Sequence, residues 1–235
     1  MKIVLMQPYF FPYLGYFTLL KKSDLFVVFD TAQYIRRGWV HRNRIIGPNG
    51  EPTYINALII KAPQDTPIHH IQLNDLDRWK QEVLRKIEVY KYSAPNYREV
   101  YQLVEQCLNV PVSYLADLNV HCLHAVSDYL EIPRNIIRLS EQNLSFDDIH
   151  KPDDWGLKIS QYYGAETYIN APGGQEFYNK DKYEKHHIDM LFYKTKLTPY
   201  NQNLPAFQPG LSIIDVMMFN TKKEIHQMLD DYEIL

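Results

Sequence analysis

Ile3-Val4-Leu5-Met6 leads into Gln7-Pro8-Tyr9-Phe10-Phe11-Pro12-Tyr13-Leu14-Gly15-Tyr16-Phe17, and Leu25-Phe26-Val27-Val28-Phe29 leads into Asp30-Thr31-Ala32-Gln33-Tyr34. Both apolar runs are continuous rather than alternating, the pattern of strands buried on both faces of a parallel sheet. Pro8 and Pro12 keep the stretch after the first run out of regular structure, and Leu14 to Lys22 reads as a short helix. Residues 2–29 therefore predict a βαβ unit of minimal length. Two strands that each end in a polar and aromatic loop put those loops at the carboxyl ends of a parallel sheet, where such folds bind ligands. The second loop is expected to continue through Arg36-Arg37-Gly38-Trp39-Val40-His41-Arg42-Asn43-Arg44, whose four arginines suit an anionic ligand.

Working outward, Gly47-Pro48-Asn49-Gly50 is a turn signal and Thr53 to Ile60 reads as another strand. From Asp75 to about Tyr92 the apolar residues Leu76, Trp79, Val83, Leu84 and Ile87 recur at helical spacing. Helices are expected over Pro95–Leu108 and Ser113–Glu131, a strand over Asn135–Leu139, and a helix over Pro152–Gly164 capped by the glycine. Glu166–Asn170 and Ile188–Tyr193 read as strands, and helices near Ser212–Phe219 and Lys222–Leu229 close the chain. Strands alternating with helices argue for an α/β fold, Rossmann-like, with a mostly parallel sheet of about five strands. A helical insertion at about 74–131 interrupts what is expected to be one domain over residues 1–235.

At 235 residues the chain can bury a sizeable core. A net charge of −3 gives no global basic footprint for DNA or RNA, so the arginines of 36–44 are a local concentration. Cys107 and Cys122 form no disulfide framework, as expected in a reducing cytosol. No signal-peptide core or run of about 18 apolar residues occurs. A soluble, cytoplasmic protein without a membrane span is the expectation. Tyrosine is abundant, with 19 copies, and its apolar body and hydroxyl handle suit a sugar or nucleotide pocket as well as an ordinary core.

Each candidate site has a plain alternative. Gln7 to Tyr16 forms either a rigid ligand wall or a proline-fixed strand exit with aromatics in the core. Arg36, Arg37, Arg42 and Arg44 recognise phosphate or carboxylate, or are a solvated charge run; the interleaved Trp39 and Asn43 favour recognition. Ala171-Pro172-Gly173-Gly174 lets backbone N–H groups approach an anion, or is simply a turn; it is neither a Walker loop nor a dinucleotide fingerprint. Asp117, His121 and His124 share one helix face, yet no HExxH or CxxC pattern accompanies them, and no metal is assigned. His69-His70 and His186-His187 have no partner signature. There is no Gly-x-Ser-x-Gly elbow and no activated cysteine, so acid–base work with electrostatic positioning is the expected mode for an enzyme.

Gln7-Pro8 with the aromatic run to Phe17, then Ser23-Asp24, Phe26-Val27, Asp30, Gln33, Trp39 and Arg42-Asn43-Arg44-Ile45, resembles the WbqC-like proteins. The resemblance continues through Ala116-Asp117-Leu118-Asn119, Gly164-Ala165-Glu166-Thr167-Tyr168, Pro172-Gly173-Gly174 with Tyr178, and Pro209, Leu211-Ser212 and Asp215. It covers nearly the full length. Such proteins are associated with bacterial O-antigen and exopolysaccharide clusters, beside enzymes that make nucleotide-linked amino sugars. The resemblance implies an N-acyl- or aminoacyltransferase modifying such a sugar. Where the family often has histidine immediately before Gln7-Pro8, this chain has Met6. If that histidine is a base, this chain lacks it or uses another, such as His41; if it is structural, nothing is lost.

The site expected from sequence joins the strand-end loops in one pocket. Arg42 and Arg44 hold a diphosphate or carboxylate, and Trp39 and Tyr9 line the walls. Gln7, Asp30 and Asn43 orient polar groups, Gln33 also binds the ligand, and Gly173, Gly174 and Tyr178 close the far side. Asp30 or His41 accepts the proton that an amine loses on attacking an acyl donor. The acyl donor and any cofactor are left open, as is the oligomeric state; the expected partner is a nucleotide-linked sugar or other small anionic ligand. Two other classes stand beside this one: a nucleotidyltransferase-like, adenylate-forming enzyme, although its HxGH signature is absent, and a non-catalytic binding protein of a polysaccharide assembly complex.

Overall fold

The computed structural model describes residues 1–74, 77–146 and 148–235. β1 (Lys2–Met6) and β2 (Leu25–Val28) run parallel, from Ile3 beside Leu25 to Met6 beside Val28, with α1 (Leu14–Lys22) as the crossover between them. Their side chains divide between two cores. Ile3, Leu5, Leu25 and Val27 pack on one face of the sheet, and Val4, Phe26 and Val28 on the other. Burial on both faces is why these runs read as unbroken apolar stretches.

The chain then leaves the sheet for an antiparallel hairpin, β3 (Arg42–Ile46) and β4 (Pro52–Asn56), with Arg42 opposite Asn56 and Arg44 opposite Tyr54. This corrects the expected loop over 42–44. Asn43 and Ile45 point into the core while the arginines point outward, an alternation that polar residues disguise. β4 is also shorter than the expected strand over 53–60, because residues 57–60 leave the ladder; Ile59 makes only an isolated bridge with Leu73. The insertion follows as α2 (Arg78–Ile87), α3 (Tyr97–Leu108) and α4 (Leu115–Tyr129). Of the helix expected from Asp75, residues 75 and 76 lie outside the described residues.

The sheet resumes with β5 (Ile136–Arg138), α5 (Pro152–Tyr162), β6 (Thr167–Asn170), α6 (Lys180–Glu184) and β7 (Asp189–Thr195). Gly164 closes α5 at φ +64°, a conformation that glycine adopts without strain. α7 (Ile213–Phe219), α8 (Lys222–Asp230) and β8 (Tyr232–Ile234) complete the chain. The strand order is β5-β2-β1-β6-β7-β8, the first five parallel and β8 antiparallel at the edge. The architecture is thus a Rossmann-like α/β sheet of six mostly parallel strands. Its order reverses at β1, so the crevice beyond the carboxyl ends of β1 and β6 is the topological switch point.

No described helix is long and apolar enough to cross a membrane.

Candidate functional site

The sequence-predicted residues fall into three groups. Gln7 and Tyr9 leave β1, and Gly173 and Gly174 follow β6, so all four sit at the switch point. Gln7 gives its backbone oxygen to the Tyr16 hydroxyl at 3.0 Å, while its side chain makes no hydrogen bond to a described residue. The Tyr9 ring lies 5.6 Å from that of Tyr16, and burial, reinforced by Tyr13, raises its phenol above the usual value. Pro172–Phe177 is a short 3-10 turn rather than an open loop, with Gly174 N–H donating to Ala171 O at 3.1 Å. A Cβ on Gly173 would meet nothing within 4 Å; one on Gly174 would press within 3.2 Å of Asn170 Nδ2 and 3.3 Å of the Tyr178 ring. Tyr178 itself stacks on Tyr168, their rings 5.8 Å apart.

Asp30 opens the second group. It is fully buried at the end of β2, and both carboxylate oxygens are engaged. Oδ1 accepts from Ser140 N–H, and Oδ2 accepts from Arg138 Nε at 2.9 Å and from the Ser140 hydroxyl. Arg138 extends the network to Asp117 at 2.7 Å and Glu141 at 3.3 Å. His69 approaches the Asp30 carbonyl oxygen with both its backbone N–H and Nδ1, each at 2.9 Å. Gln33, nearby and exposed, donates to Gln64 O at 2.8 Å. Arg138 and Ser140 carry no sequence motif. Their only signal is that a strand ending in arginine would lie beside β2, and that needs the topology.

The third group gathers on and around the hairpin. The Arg42 guanidinium lies 4.4 Å from the Tyr54 ring and that of Arg44 lies 5.4 Å from Trp39. Arg42 also donates to the Gly38 and Arg37 carbonyls. Asn43 is turned inward, its amide donating to Phe10 O and Phe11 O at 3.1 and 2.8 Å, so it fastens the first loop to the hairpin. Asn119 on α4 does the same from beneath, donating to Pro8 O at 2.8 Å and Val40 O at 2.7 Å. Two hydrogen bonds from one amide nitrogen hold the first loop directly against the segment that carries His41.

His41 lines a cavity of about 560 Å³ between the hairpin and α2. Asn56, Ala57, Leu58 and Ile59 form one wall; Arg78, Trp79, Glu82, Val83 and Lys86 form the other. Arg78, Glu82 and Lys86 recur every fourth residue and so share one helix face. Lys86 donates to Tyr54 O at 2.9 Å and pairs with Glu82 at 2.9 Å, while Arg78 has no ion-pair partner among the described residues. Burial, with the neighbouring Arg42 charge, lowers the His41 pKa below the ordinary 6.5 and so favours the neutral imidazole. Its Nδ1 lies 2.8 Å from the Tyr34 hydroxyl, and burial holds that phenol protonated. Nε2 has no hydrogen-bond partner among the described residues.

The residues match the WbqC-like family model over positions 7–227, nearly the whole chain. The chain belongs to the WbqC-like protein family. A relative in Mycobacterium tuberculosis, described as uncharacterized protein Rv1507c, is 24% identical over 225 residues, covering 95% of each chain. No solved structure matches.

For this WbqC-like chain, no three His, Cys, Asp or Glu side chains among the described residues converge as a metal-holding group. On α4, Asp117 is held by Arg138 and His124 accepts from Arg134 at 2.9 Å. Cys107 and Cys122 are buried and free, and burial with the adjacent Cys107 pushes the Cys122 thiol well up, away from thiolate chemistry. The chemistry the site can offer is proton transfer at His41 across from the Arg78, Glu82 and Lys86 side chains.

Proposed function

We propose that this protein is an enzyme of bacterial surface-polysaccharide (O-antigen) biosynthesis that transfers an acyl or aminoacyl group to the amine of a nucleotide-linked amino sugar. One observation carries the reading: His41, its pKa lowered by burial and its Nε2 without a hydrogen-bond partner among the described residues, lines a cavity of about 560 Å³ whose other wall offers Arg78 and Lys86 beside Glu82. An acceptor of this class has those two ends, an amine that must lose a proton and a diphosphate that needs cations. The volume lies within the usual range for small-molecule sites.

In this reading the diphosphate is held by Arg78 and Lys86, with Arg42 at the rim, since Arg42 sits directly across from the cavity residue Asn56. The sugar amine faces His41. The reading requires the tautomer in which His41 Nδ1–H donates to the Tyr34 oxygen, which leaves the Nε2 lone pair for the substrate. The amine nitrogen attacks the carbonyl carbon of an activated acyl donor; the new C–N bond forms as the bond to the donor's leaving group breaks. Nε2 takes the amine proton and returns it to the leaving group. Asp30, with both oxygens occupied, serves as the anchor that positions Arg138. Gln7, Tyr9, Gly173 and Gly174, at the switch point and outside the cavity lining, are assigned to the acyl donor in this reading.

Calorimetry with a panel of UDP- and dTDP-amino sugars tests the binding half. One member of the panel should bind, and Arg78→Ala should weaken that binding by about tenfold, the worth of one charge-assisted contact. Heat from none of them would overturn the acceptor assignment. Release of pyrophosphate from ATP without acyl transfer would favour an adenylate-forming enzyme instead.

A further inference from the structure

The outward face of the hairpin and the loop before it carry more than the cavity needs. Between residues 35 and 66 the chain has five arginines and lysines (Arg36, Arg37, Arg42, Arg44 and Lys61) against two acids, Glu51 and Asp65. A protein of net charge −3 thus concentrates a net +3 here, and none of the five cations pairs with an acid among the described residues. The same stretch exposes five large apolar side chains: Ile35 at 58%, Trp39 at 39%, Tyr54 at 38%, Leu58 at 45% and Ile60 at 47%.

Contacts join the arginines and the two aromatic rings of this stretch. Arg44 stacks on Trp39 and Arg42 on Tyr54. Arg42 ties back to the Arg37 carbonyl, and Arg36 donates to Ala62 O at 3.3 Å, drawing the 35–37 loop against the segment that carries Ile60 and Lys61. Exposed aliphatics among unpaired cations have no advantage in bulk water. Arginines and aromatics alone would suit a nucleic acid, through phosphate contacts and base stacking. Ile35, Leu58 and Ile60 offer neither a π face nor a hydrogen bond. Acyl chains beneath a layer of phosphates match all three classes of side chain at once.

We propose that this face docks on an anionic phospholipid bilayer. Arg36, Arg37, Arg44 and Lys61 meet lipid phosphates, Trp39 and Tyr54 sit at headgroup level, and Ile35, Leu58 and Ile60 reach the acyl boundary. Because Leu58 also lines the cavity, docking sets the cavity mouth at the membrane surface. The proposal stands on charge and exposure and does not depend on the transfer chemistry.

Co-sedimentation of the full chain with phosphatidylcholine vesicles, with and without phosphatidylglycerol, tests it. The chain should sediment with the anionic vesicles at low salt and be released as salt rises. The double change Arg36→Gln/Arg37→Gln should lower the partition coefficient about 25-fold, roughly fivefold for each charge removed. Ile35→Ser/Ile60→Ser should lower it about tenfold or more while leaving the salt dependence unchanged. Circular dichroism confirms that both variants fold. No binding to anionic vesicles overturns the proposal. So does equal binding to single-stranded DNA that the Ile35→Ser/Ile60→Ser variant retains, which would assign the face to a polyanion.

Discussion

Tyr34 and His41 face each other across a hydrogen bond of 2.8 Å between the tyrosine hydroxyl and imidazole Nδ1. Tyr34 is nearly buried, with its backbone N–H fixed to Thr66 O at 2.9 Å, so it gives the imidazole a rigid reference point. Tyr34→Phe removes the hydroxyl and keeps the ring. The expected outcome is a fall in kcat of about fivefold with little change in KM, since one orienting hydrogen bond contributes about 1 kcal/mol. Steady-state kinetics on the variant checks it.

The pH profile follows from the same pair. Burial, then the Arg42 charge, places the His41 pKa below 6.5 in the folded protein. Its base form is therefore present above that pKa and lost as pH falls through it. kcat/KM should be flat across pH 7–8 and decline on an acid limb whose inflection lies below 6.5. Arg42→Gln removes one of the two causes and should move the limb upward.

Asp30 tests the anchoring role. Asp30→Asn keeps the shape but removes the charge that faces Arg138 and places an NH2 where donors now converge. Breaking one side of a buried ion pair typically costs about 3 kcal/mol. Urea unfolding should show a loss of that order.

Much of this architecture is legible in the residues, and the exceptions have physical reasons. β1 and β2 announce themselves because burial on both faces demands apolar side chains from Ile3 to Leu5 and from Leu25 to Val28. β3 does not, because Arg42 and Arg44 point outward and the inward Asn43 is polar. That asparagine is tolerated in the core because the Phe10 and Phe11 carbonyls accept its protons. β8 has three residues, too few for a pattern. At the site, Trp39, His41, Arg42 and Arg44 stand out as a cluster, and the structure keeps them near one another around the hairpin. Arg78, Glu82 and Lys86 are hidden by their own spacing, which on a helix reads as a solvated face. Arg138 is 108 residues from Asp30, and only the β2–β5 pairing brings them together.

Asp215 offers a check away from the cavity. It is fully buried in the first turn of α7 and accepts from Tyr90 at 2.7 Å, Tyr200 at 2.6 Å and Gln202 at 2.8 Å. Burial raises its pKa despite these donors. A raised carboxylate pKa means the folded state favours the protonated form, so this group's stabilising contribution is present below pH 3.8 and lost as pH rises through the folded pKa. Asp215→Ala strands three donors and should lower unfolding free energy by about 3 kcal/mol or more. Urea melts of the variant measure it.

Asn119→Ala should act on the site through the backbone. It deletes both the Pro8 and Val40 hydrogen bonds, costing about 2 kcal/mol. The first loop and the His41 segment would then be less firmly joined. Hydrogen exchange should show loss of protection at Phe10 N–H, which donates to Trp39 O in the intact protein.

The most direct measurement incubates the protein and its His41→Ala variant with UDP- and dTDP-amino sugars and activated acyl donors, and reads the mass of each sugar. The account predicts an acyl or aminoacyl mass added to one amino sugar by the intact protein. It also predicts a rate lower by about 100-fold or more for the variant, the usual worth of a general base. No added mass on any sugar, or equal modification by the two proteins, would contradict it.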